Sequence, residues 1–229
     1  YWTPAHGVKE VHGTIQRAYD GTGGEFVWGP PRTDELRTPD GRGRLNAFTV
    51  DEAHFYWTAT TGAHVVHGAI LRLWRTMGFE RSAHGYPRTD ELPTPNGRGR
   101  YNTFENGGIY WLPGVGARSV VGAIYAKWGQ YGYEGGFLGF PGTNESVTPD
   151  LVGRYNHFEG GSVYWSPGTG AHEVHGLIRA RWAALGWEAS YLGYPTSDEF
   201  AVPGGRRVNF ERGFITFTSA TGAVADRRY

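Results

Sequence analysis

Two residue types with complementary hydrogen-bonding chemistry recur along this chain. A Glu and, before an aromatic-rich segment, an Arg occur in each of four similar stretches: Glu35, Glu91, Glu145 and Glu199, with Arg44, Arg100, Arg154 and Arg206. Carboxylates accept hydrogen bonds and guanidinium groups donate them, so the pair suits the hydroxyl groups of a sugar. The same pair also suits an ion pair that ties a loop to its neighbour. Its identical placement in every stretch favours this structural role.

An acidic or amide residue precedes each of these Glu residues: Asp34, Asp90, Asn144 and Asp198. The exchange of Asp for Asn at position 144 keeps a hydrogen-bond acceptor. Such a residue can cap a turn through its side-chain oxygen, or it can contact a glycan. The sequence leaves both roles open.

Adjacent aromatic pairs supply a third candidate set: Tyr56 and Trp57, Tyr110 and Trp111, Tyr164 and Trp165. Neighbouring side chains on a β-strand point to opposite faces. We therefore expect one ring of each pair to face the core and the other to be available as a stacking platform for a pyranose ring. The sequence does not determine which ring is which.

Other chemistries find little support. Cysteine is absent, which excludes disulfides and thiolate metal sites. His12, His67 and His175 recur in register, but Val121 replaces His in the third stretch, so capping or exposure explains them better than a metal. No metalloprotease, nucleophile-elbow or phosphate-loop spacing occurs. We predict no metal and no cofactor.

The sequence also favours a chain without catalytic activity. Catalysis needs one asymmetric set of reactive groups, and a repeat protein must break its symmetry to build one. The residues peculiar to one stretch are chiefly Asp51, Glu52 and His54, in a longer turn of the first stretch. Such a cluster is typical of a solvated turn. We therefore predict no catalytic residues.

The elements that position these residues form a tandem repeat. A similar stretch begins at Trp2, Trp57, Trp111 and Trp165, at steps of 54 or 55 residues. We predict a single repeat domain over residues 1–229 with units 2–56, 57–110, 111–164 and 165–216 and a truncated fifth unit, 217–229. A unit of this size cannot bury both of its apolar faces alone, so each one must pack against its neighbours.

Each unit is predicted to hold one helix and one hairpin, an α+β fold. Val66, Ile70, Trp74 and Met77 follow helical spacing, and Gly78 suits the residue that ends a helix. The helix aromatics are predicted to be core residues: Tyr19, Trp74, Trp128 and Trp182. Alternating residues around a Gly-Gly turn, as in residues 154–165, predict the hairpin.

Charge and hydropathy exclude several partners. Lys plus Arg is 22 and Asp plus Glu is 22, so the net charge is zero and favours neither nucleic acid nor an anionic membrane surface. No apolar run is long enough to span a membrane, so we predict no membrane insertion. The chain starts at Tyr1 instead of Met, which we interpret as a processed end and weak support for secretion.

A tetrapeptide turn recurs before each Glu: Trp28-Gly29-Pro30-Pro31, His84-Gly85-Tyr86-Pro87, Leu138-Gly139-Phe140-Pro141 and Leu192-Gly193-Tyr194-Pro195. With the Phe-Glu-Gly-Gly hairpin, this signature resembles the LGFP repeat of actinobacterial cell-surface proteins. The resemblance covers nearly the whole chain, although the first copy departs at the signature. It implies a propeller-like, pseudo-symmetric disc or arc, and four full copies where a closed disc has five leave ring closure open.

The resemblance also implies a function. Such arrays accompany catalytic domains and are thought to hold them on the cell wall, so we expect a secreted or cell-wall-associated module. Its expected partner is a cell-wall polysaccharide, arabinogalactan or peptidoglycan, with a fused or associated enzyme domain beside it. The alternatives are a protein–protein scaffold without glycan affinity and, less favoured, a cell-wall hydrolase.

Overall fold

The computed structural model describes all 229 residues and confirms an α+β architecture of tandem repeats. A two-stranded sheet is followed by four four-stranded sheets whose strands lie side by side in chain order. The first three sheets comprise β1 (Trp2–Thr3) and β2 (Gly7–Val8); β3 (Leu36–Arg37), β4 (Arg44–Ala47), β5 (His54–Thr58) and β6 (Gly62–Val66); and β7 (Leu92–Pro93), β8 (Arg100–Phe104), β9 (Gly107–Leu112) and β10 (Gly116–Val121). The last two comprise β11 (Ser146–Val147), β12 (Arg154–His157), β13 (Gly161–Ser166) and β14 (Gly170–His175); and β15 (Phe200–Val202), β16 (Gly205–Phe210), β17 (Gly213–Thr218) and β18 (Ala223–Arg228).

A helix separates each sheet from the next. The α-helices are α1 (Gly13–Gly21), α2 (Gly24–Trp28), α3 (Gly68–Met77), α4 (Gly122–Gln130) and α5 (Gly176–Leu185). Short 3-10 turns occur at Val50–Glu52, Phe79–Arg81, Tyr133–Gly135 and Trp187–Ala189. The helices α1, α3, α4 and α5 are the amphipathic helices predicted from the sequence. Gly78 and Gly186 end α3 and α5 with φ values of 98° and 101°, the left-handed conformation expected there.

The repeated β element is larger than the hairpin predicted from the sequence. Two further strands flank each hairpin. The outer strand was not predicted, because β3, β7 and β11 have only two residues each and give no periodic signal. The predicted unit boundaries at 56/57, 110/111, 164/165 and 216/217 fall inside β5, β9, β13 and β17. Residues 217–229, predicted as a truncated fifth unit, contribute to β17 and β18 and so complete the fourth four-stranded sheet.

The chain, predicted as one repeat domain, packs as two compact units, Tyr1–Arg118 and Ser119–Tyr229, with the boundary inside β10. In the first unit, α1 packs on β5 and β6, and α3 packs on β9. In the second unit, α4 packs on β13 and β14, and α5 contacts both β14 and β17. The helix α5 therefore lies between two successive sheets, as neighbour-dependent packing requires.

The helix aromatics form the core, as predicted. Tyr19, Trp74, Trp128 and Trp182 are all 0% exposed. Trp74 packs with Tyr56 of the preceding sheet and with Phe104 and Ile109 of the following sheet. Trp182 occupies the same position among Tyr164, Phe210 and Ile215. Trp74 and Trp182 thus each join two sheets through one helix.

The tetrapeptide signature docks on the hairpin turn of its own repeat. Gly193 has a φ of 75°, and a Cβ there would collide with the Glu211 carboxylate. The next backbone N–H, of Tyr194, donates to Glu211 Oε2 at 3.0 Å, and Pro195 forms a β-bridge with Phe210. The second and third copies repeat this arrangement at Gly85 with Glu105 and at Gly139 with Glu159. Only glycine fits this position, because the backbone φ is positive and a carboxylate lies where the Cβ of any other residue would stand.

Candidate functional site

A pocket recurs beside the N-terminal ends of the repeat helices, and we call it the helix-end pocket. Three copies have volumes of about 210, 240 and 180 Å³. The first is lined by His12, Gly13, Thr14, Ile15, Glu35, Arg44 and Trp57, and the second by Asp51, His67, Gly68, Ala69, Ile70, Arg72, Glu91, Arg100 and Trp111. The fourth repeat's copy is lined by His175, Gly176, Leu177, Ile178, Glu199, Arg206 and Phe217. Equivalent residues therefore meet at equivalent sites.

The helix supplies one wall of each pocket. Its first residue is a glycine in the left-handed conformation, with φ of 60° at Gly13, 56° at Gly68 and 54° at Gly176. No side chain caps α1, α3 or α5. The first backbone N–H groups of a helix have no partner within the helix. These amides are therefore available to an oxygen atom of a ligand in the pocket.

The predicted Glu and Arg lie together at the base of the pocket. The Glu91 carboxylate is 9% exposed and accepts a hydrogen bond from Nε of Arg100, whose side chain is 45% exposed. Glu199 and Arg206 repeat this pair, at 6% and 45%. In the first pocket Glu35 Oε1 lies 3.7 Å from Arg44 Nε. The ion pair favoured from the sequence is therefore present, and each Arg also extends to the solvent side of the pocket.

A histidine joins this pair in three repeats. His67 Nε2 lies 3.5 Å from Glu91, and His175 Nε2 lies 3.4 Å from Glu199. His12 lies 3.5 Å from Glu35. The hydrogen bond with Glu173, at 2.8 Å, raises the pKa of His175. From the sequence, these histidines were interpreted as capping or exposed residues and not as site residues. Their position directly before the first glycine of the helix does indicate that they lie at the helix end.

The structure decides which ring of each aromatic pair is accessible. Tyr56, Tyr110 and Tyr164 are 2%, 3% and 2% exposed and belong to the core, so they cannot serve as the surface platforms considered above. Trp57, Trp111 and Trp165 are half-buried. Each Trp is the cross-strand partner of the pocket Arg: Trp57 of Arg44, Trp111 of Arg100 and Trp165 of Arg154. Phe217 takes this position opposite Arg206 in the fourth repeat.

The third repeat lacks the histidine. Val121 precedes α4, and no side chain caps that helix. Glu145 accepts a hydrogen bond from the Val121 backbone and faces Arg154, while burial raises its pKa. The Glu–Arg arrangement thus persists where the histidine does not.

The residue before each Glu lies outside the helix-end pockets. Its Oδ1 accepts a hydrogen bond from a backbone N–H earlier in the chain in every repeat: Asp34 from Glu10 (3.1 Å), Asp90 from Val65 (2.9 Å), Asn144 from Ser119 (3.0 Å) and Asp198 from Glu173 (3.1 Å). Burial opposes ionisation of Asp90, but bonds from His64 and Val65 hold its pKa below the usual value. These residues tie the segment after the signature to the segment before the helix, which is a strand in the last three repeats.

The longer turn of the first stretch is not a purely solvated loop. Asp51 lines the second helix-end pocket and bonds His67 Nδ1 at 2.8 Å, and Glu52 pairs with Arg75 at 3.1 Å. His54 is half-buried, and burial lowers its pKa to about 4. No group of three or more His, Asp or Glu side chains is arranged to hold a metal ion. None of the helices has the length and apolar character needed to cross a membrane.

Comparison with known sequences identifies the repeat. The chain matches the LGFP repeat over residues 29–82, 85–136, 138–190 and 192–227. No curated protein matches it.

Likenesses among solved structures are slight. An extracellular domain of a candidate one-component system from B. thetaiotaomicron is 10% identical, with 87% of this chain and 30% of that chain covered and a TM-score of 0.19. A candidate 6-phosphogluconolactonase from Bacteroides uniformis is 14% identical, with 84% and 52% covered and a TM-score of 0.16. Hydrazine synthase from Kuenenia stuttgartiensis is 11% identical, with 85% and 48% covered and a TM-score of 0.15. The chain spans about half or less of each, and scores this low carry no argument.

Proposed function

Since the chain belongs to the LGFP repeat family, we propose that it is a non-catalytic module that binds a cell-wall polysaccharide through its helix-end pockets. One observation carries the proposal: an accessible aromatic ring, a Glu–Arg pair and an uncapped helix end meet in the same way in the first, second and fourth repeats. Arabinogalactan and peptidoglycan are the polymers that we propose, and the module would tether a companion enzyme to them.

The chemistry of the pocket suits a sugar. One face of Trp111 packs against the core, which fixes the ring at low entropic cost to a ligand. An apolar face of a pyranose ring can cover the accessible face of the indole, while Arg100 donates to its hydroxyl groups and Glu91 accepts from them. The helix amides add further donors.

Each pocket is small and open, so we propose that affinity arises from several weak sites on one polymer. Linked sites that engage the same chain raise the effective affinity by orders of magnitude without any new contact. A secreted, cell-wall-associated location follows from this role. The disc or arc implied by the family resemblance stays a prediction, which small-angle X-ray scattering tests.

Sedimentation with purified cell walls tests the function. We expect the chain to co-sediment and to be released by soluble arabinogalactan or peptidoglycan fragments. The triple variant Trp57→Ala, Trp111→Ala, Trp165→Ala should lose most of this binding. Phe26→Ala is the matched control, because that ring is 98% exposed and lies outside the pockets. Circular dichroism verifies that both proteins are folded.

Three outcomes would reject the proposal or the site that it names. Binding that no glycan competitor reduces would favour a protein–protein scaffold. Release of soluble sugar or peptide fragments from the walls by the purified chain would favour a hydrolase. Unchanged binding by the folded triple variant would place the glycan site elsewhere.

A further inference from the structure

A second type of cavity lies in the Ser119–Tyr229 unit, beneath the signature tyrosine of the fourth repeat, and we call it the Tyr194 cavity. It has a volume of about 350 Å³. Three acidic side chains, Asp150, Glu188 and Glu211, and one basic side chain, Arg212, line it together with Tyr194. Its lining therefore carries more acidic than basic groups.

The Tyr1–Arg118 unit contains the same arrangement around Tyr86. The Tyr86 hydroxyl bonds Thr38 Oγ1 at 2.7 Å and Asp40 Oδ1 at 2.5 Å. The Tyr194 hydroxyl bonds Thr148 Oγ1 at 2.8 Å and Asp150 Oδ1 at 2.7 Å. The tyrosine hydroxyl therefore has the same two partners in both sites. A Glu accepts from the tyrosine backbone N–H in both as well, Glu105 in one and Glu211 in the other.

Several lining residues differ between the two sites, among them Asn106 of the first unit, which Arg212 replaces, and one difference concerns the group beside the tyrosine ring. Arg42 in the first unit corresponds to Val152 in the second, and both backbone N–H groups donate at 3.0 Å to the loop aspartate. The Arg42 guanidinium lies 5.1 Å from the centre of the Tyr86 ring. It donates two hydrogen bonds to Glu105, Nη2 to Oε1 at 2.6 Å and Nη1 to Oε2 at 3.3 Å. In the first unit, therefore, a guanidinium group occupies the place beside the tyrosine ring and the Glu.

In the second unit no guanidinium group takes this place beside Tyr194 and Glu211. Val152 is 55% exposed and carries no donor. Arg212 directs its Nε and Nη2 to the carbonyl oxygens of Tyr191 and Ser190, at 2.9 and 3.2 Å. Glu188 is only 5% exposed, and the hydrogen bond that reaches its carboxylate comes from its own backbone. Its counterpart Glu80 in the first unit is equally buried, so the two units differ in the partner of Glu211 and not in this carboxylate. A buried carboxylate without a donor from another residue is costly unless a cation or donor reaches it.

We infer that the Tyr194 cavity binds a guanidinium group of a ligand, such as an arginine side chain of a peptide segment, in the place that Arg42 takes in the first unit. The fork of N–H donors would pair with Glu211 and lie over the Tyr194 ring. Asp150 and Glu188 would provide the remaining negative charge. This site is independent of the helix-end pockets and of the glycan ligand proposed for them.

NMR titration of the full chain tests the inference. The probe is arginine amide, and citrulline amide is the control, since it has a similar shape but a neutral urea group in place of the guanidinium. We expect arginine amide to shift the amide resonances of Gly168 and Tyr194, and citrulline amide to leave them unchanged. Val152→Arg should place a guanidinium in the cavity and weaken the arginine amide interaction at least about tenfold.

A second variant keeps the test independent of that replacement. Glu211→Gln retains an acceptor for the Tyr194 N–H but removes the charge, and it should also weaken binding about tenfold. Trp165→Ala should leave arginine amide binding unchanged, which separates this site from the glycan proposal. Equal shifts with citrulline amide, equal affinity for lysine amide, or undiminished binding in Val152→Arg would each overturn the inference.

Discussion

The second and fourth repeats place one framework in two separate units. The second combines α3 with the sheet β7–β10, and the fourth combines α5 with the sheet β15–β18. They share the buried helix Trp, the Glu–Arg pair and the His before the helix. They differ at the first residue of the signature, His84 against Leu192, and at the pocket aromatic, Trp111 against Phe217.

The two differences have different physical meanings. His84 and Leu192 are 2% and 0% exposed, so the exchange puts a titratable ring into a position that packing requires to be filled. Trp111 and Phe217 both line a pocket, so that exchange changes a contact surface. We therefore expect variation at the signature's first residue to change stability more than variation at the pocket aromatic, whose ring is only partly buried.

The largest expected effect concerns the shared helix Trp. We expect Trp74→Ala and Trp182→Ala each to lower the free energy of unfolding by about 3–5 kcal/mol, because each ring joins two sheets. Denaturant unfolding of each variant measures the loss. Trp2→Ala is the control, since that ring is 68% exposed and should change the value by less than about 0.5 kcal/mol. A loss below about 1 kcal/mol at either site would show that the two repeats do not share one framework.

Exchange of the signature's first residue, His84 against Leu192, should have the next largest effect on the free energy of unfolding. Burial lowers the pKa of His84 to about 4, against a smaller opposing effect of the Gly108 backbone. His84 is therefore neutral in the folded chain, and its unfolded pKa of about 6.5 is higher. Stability is thus retained above pH 6.5 and lost as the pH falls through 6.5 towards 4, by about 3 kcal/mol in total.

Replacement of His84 tests this pH dependence. His84→Leu should raise the free energy of unfolding at pH 7 by about 1–3 kcal/mol, because the buried ring nitrogens are removed. It should also remove this residue's part of the acid-dependent loss, while His54, with its own lowered pKa, keeps its part. Leu192→His should introduce the same pH dependence in the other unit. Parallel pH profiles for parent and His84→Leu would contradict the assignment.

Exchange of the pocket aromatic, Trp111 against Phe217, should have a smaller effect, chiefly on binding. The indole of Trp offers roughly 40 Å² more apolar area than the Phe ring, worth about 1 kcal/mol or about fivefold in affinity. Phe217→Trp should therefore strengthen cell-wall binding about fivefold, and Trp111→Phe should weaken it to a similar extent. Both variants should change the free energy of unfolding by less than about 1 kcal/mol, because each ring is only partly buried against the core. An effect on stability without one on binding would assign these rings to the fold alone.

Removal of the Glu–Arg ion pair should have a similarly small effect on stability. Arg100→Gln and Arg206→Gln keep an amide donor for the buried carboxylate, which also has His67 or His175 within 3.5 Å, so each should lower the free energy of unfolding by less than about 1 kcal/mol. Both variants should still weaken glycan binding. Urea unfolding and wall sedimentation on the same samples separate the two readouts, and a loss above about 2 kcal/mol would mean that the pair serves mainly as a tie within the fold.

Much of the site could be predicted from the repeat, and part of it could not. The Glu and Arg recur at fixed spacing, so their meeting was a direct consequence of one unit being copied. The histidines were passed over because Val121 breaks their series, although the Glu–Arg arrangement does not depend on them. The short strands β3, β7 and β11 were missed since two residues paired to a neighbour show no periodicity of their own.

The repeat, its helices, the core aromatics and the Glu–Arg pair follow from the sequence, because periodic side chains and glycine signals are local. Which ring of each aromatic pair is accessible follows from the tertiary structure, since Trp57 and Trp111 are half-buried while Tyr56 and Tyr110 are buried. That choice depends on which face of the sheet the helix covers. The structure likewise decided that Asp90 ties a turn to Val65 while Glu91, its neighbour, lines a pocket. Adjacent residues point apart, and only packing determines what each one meets.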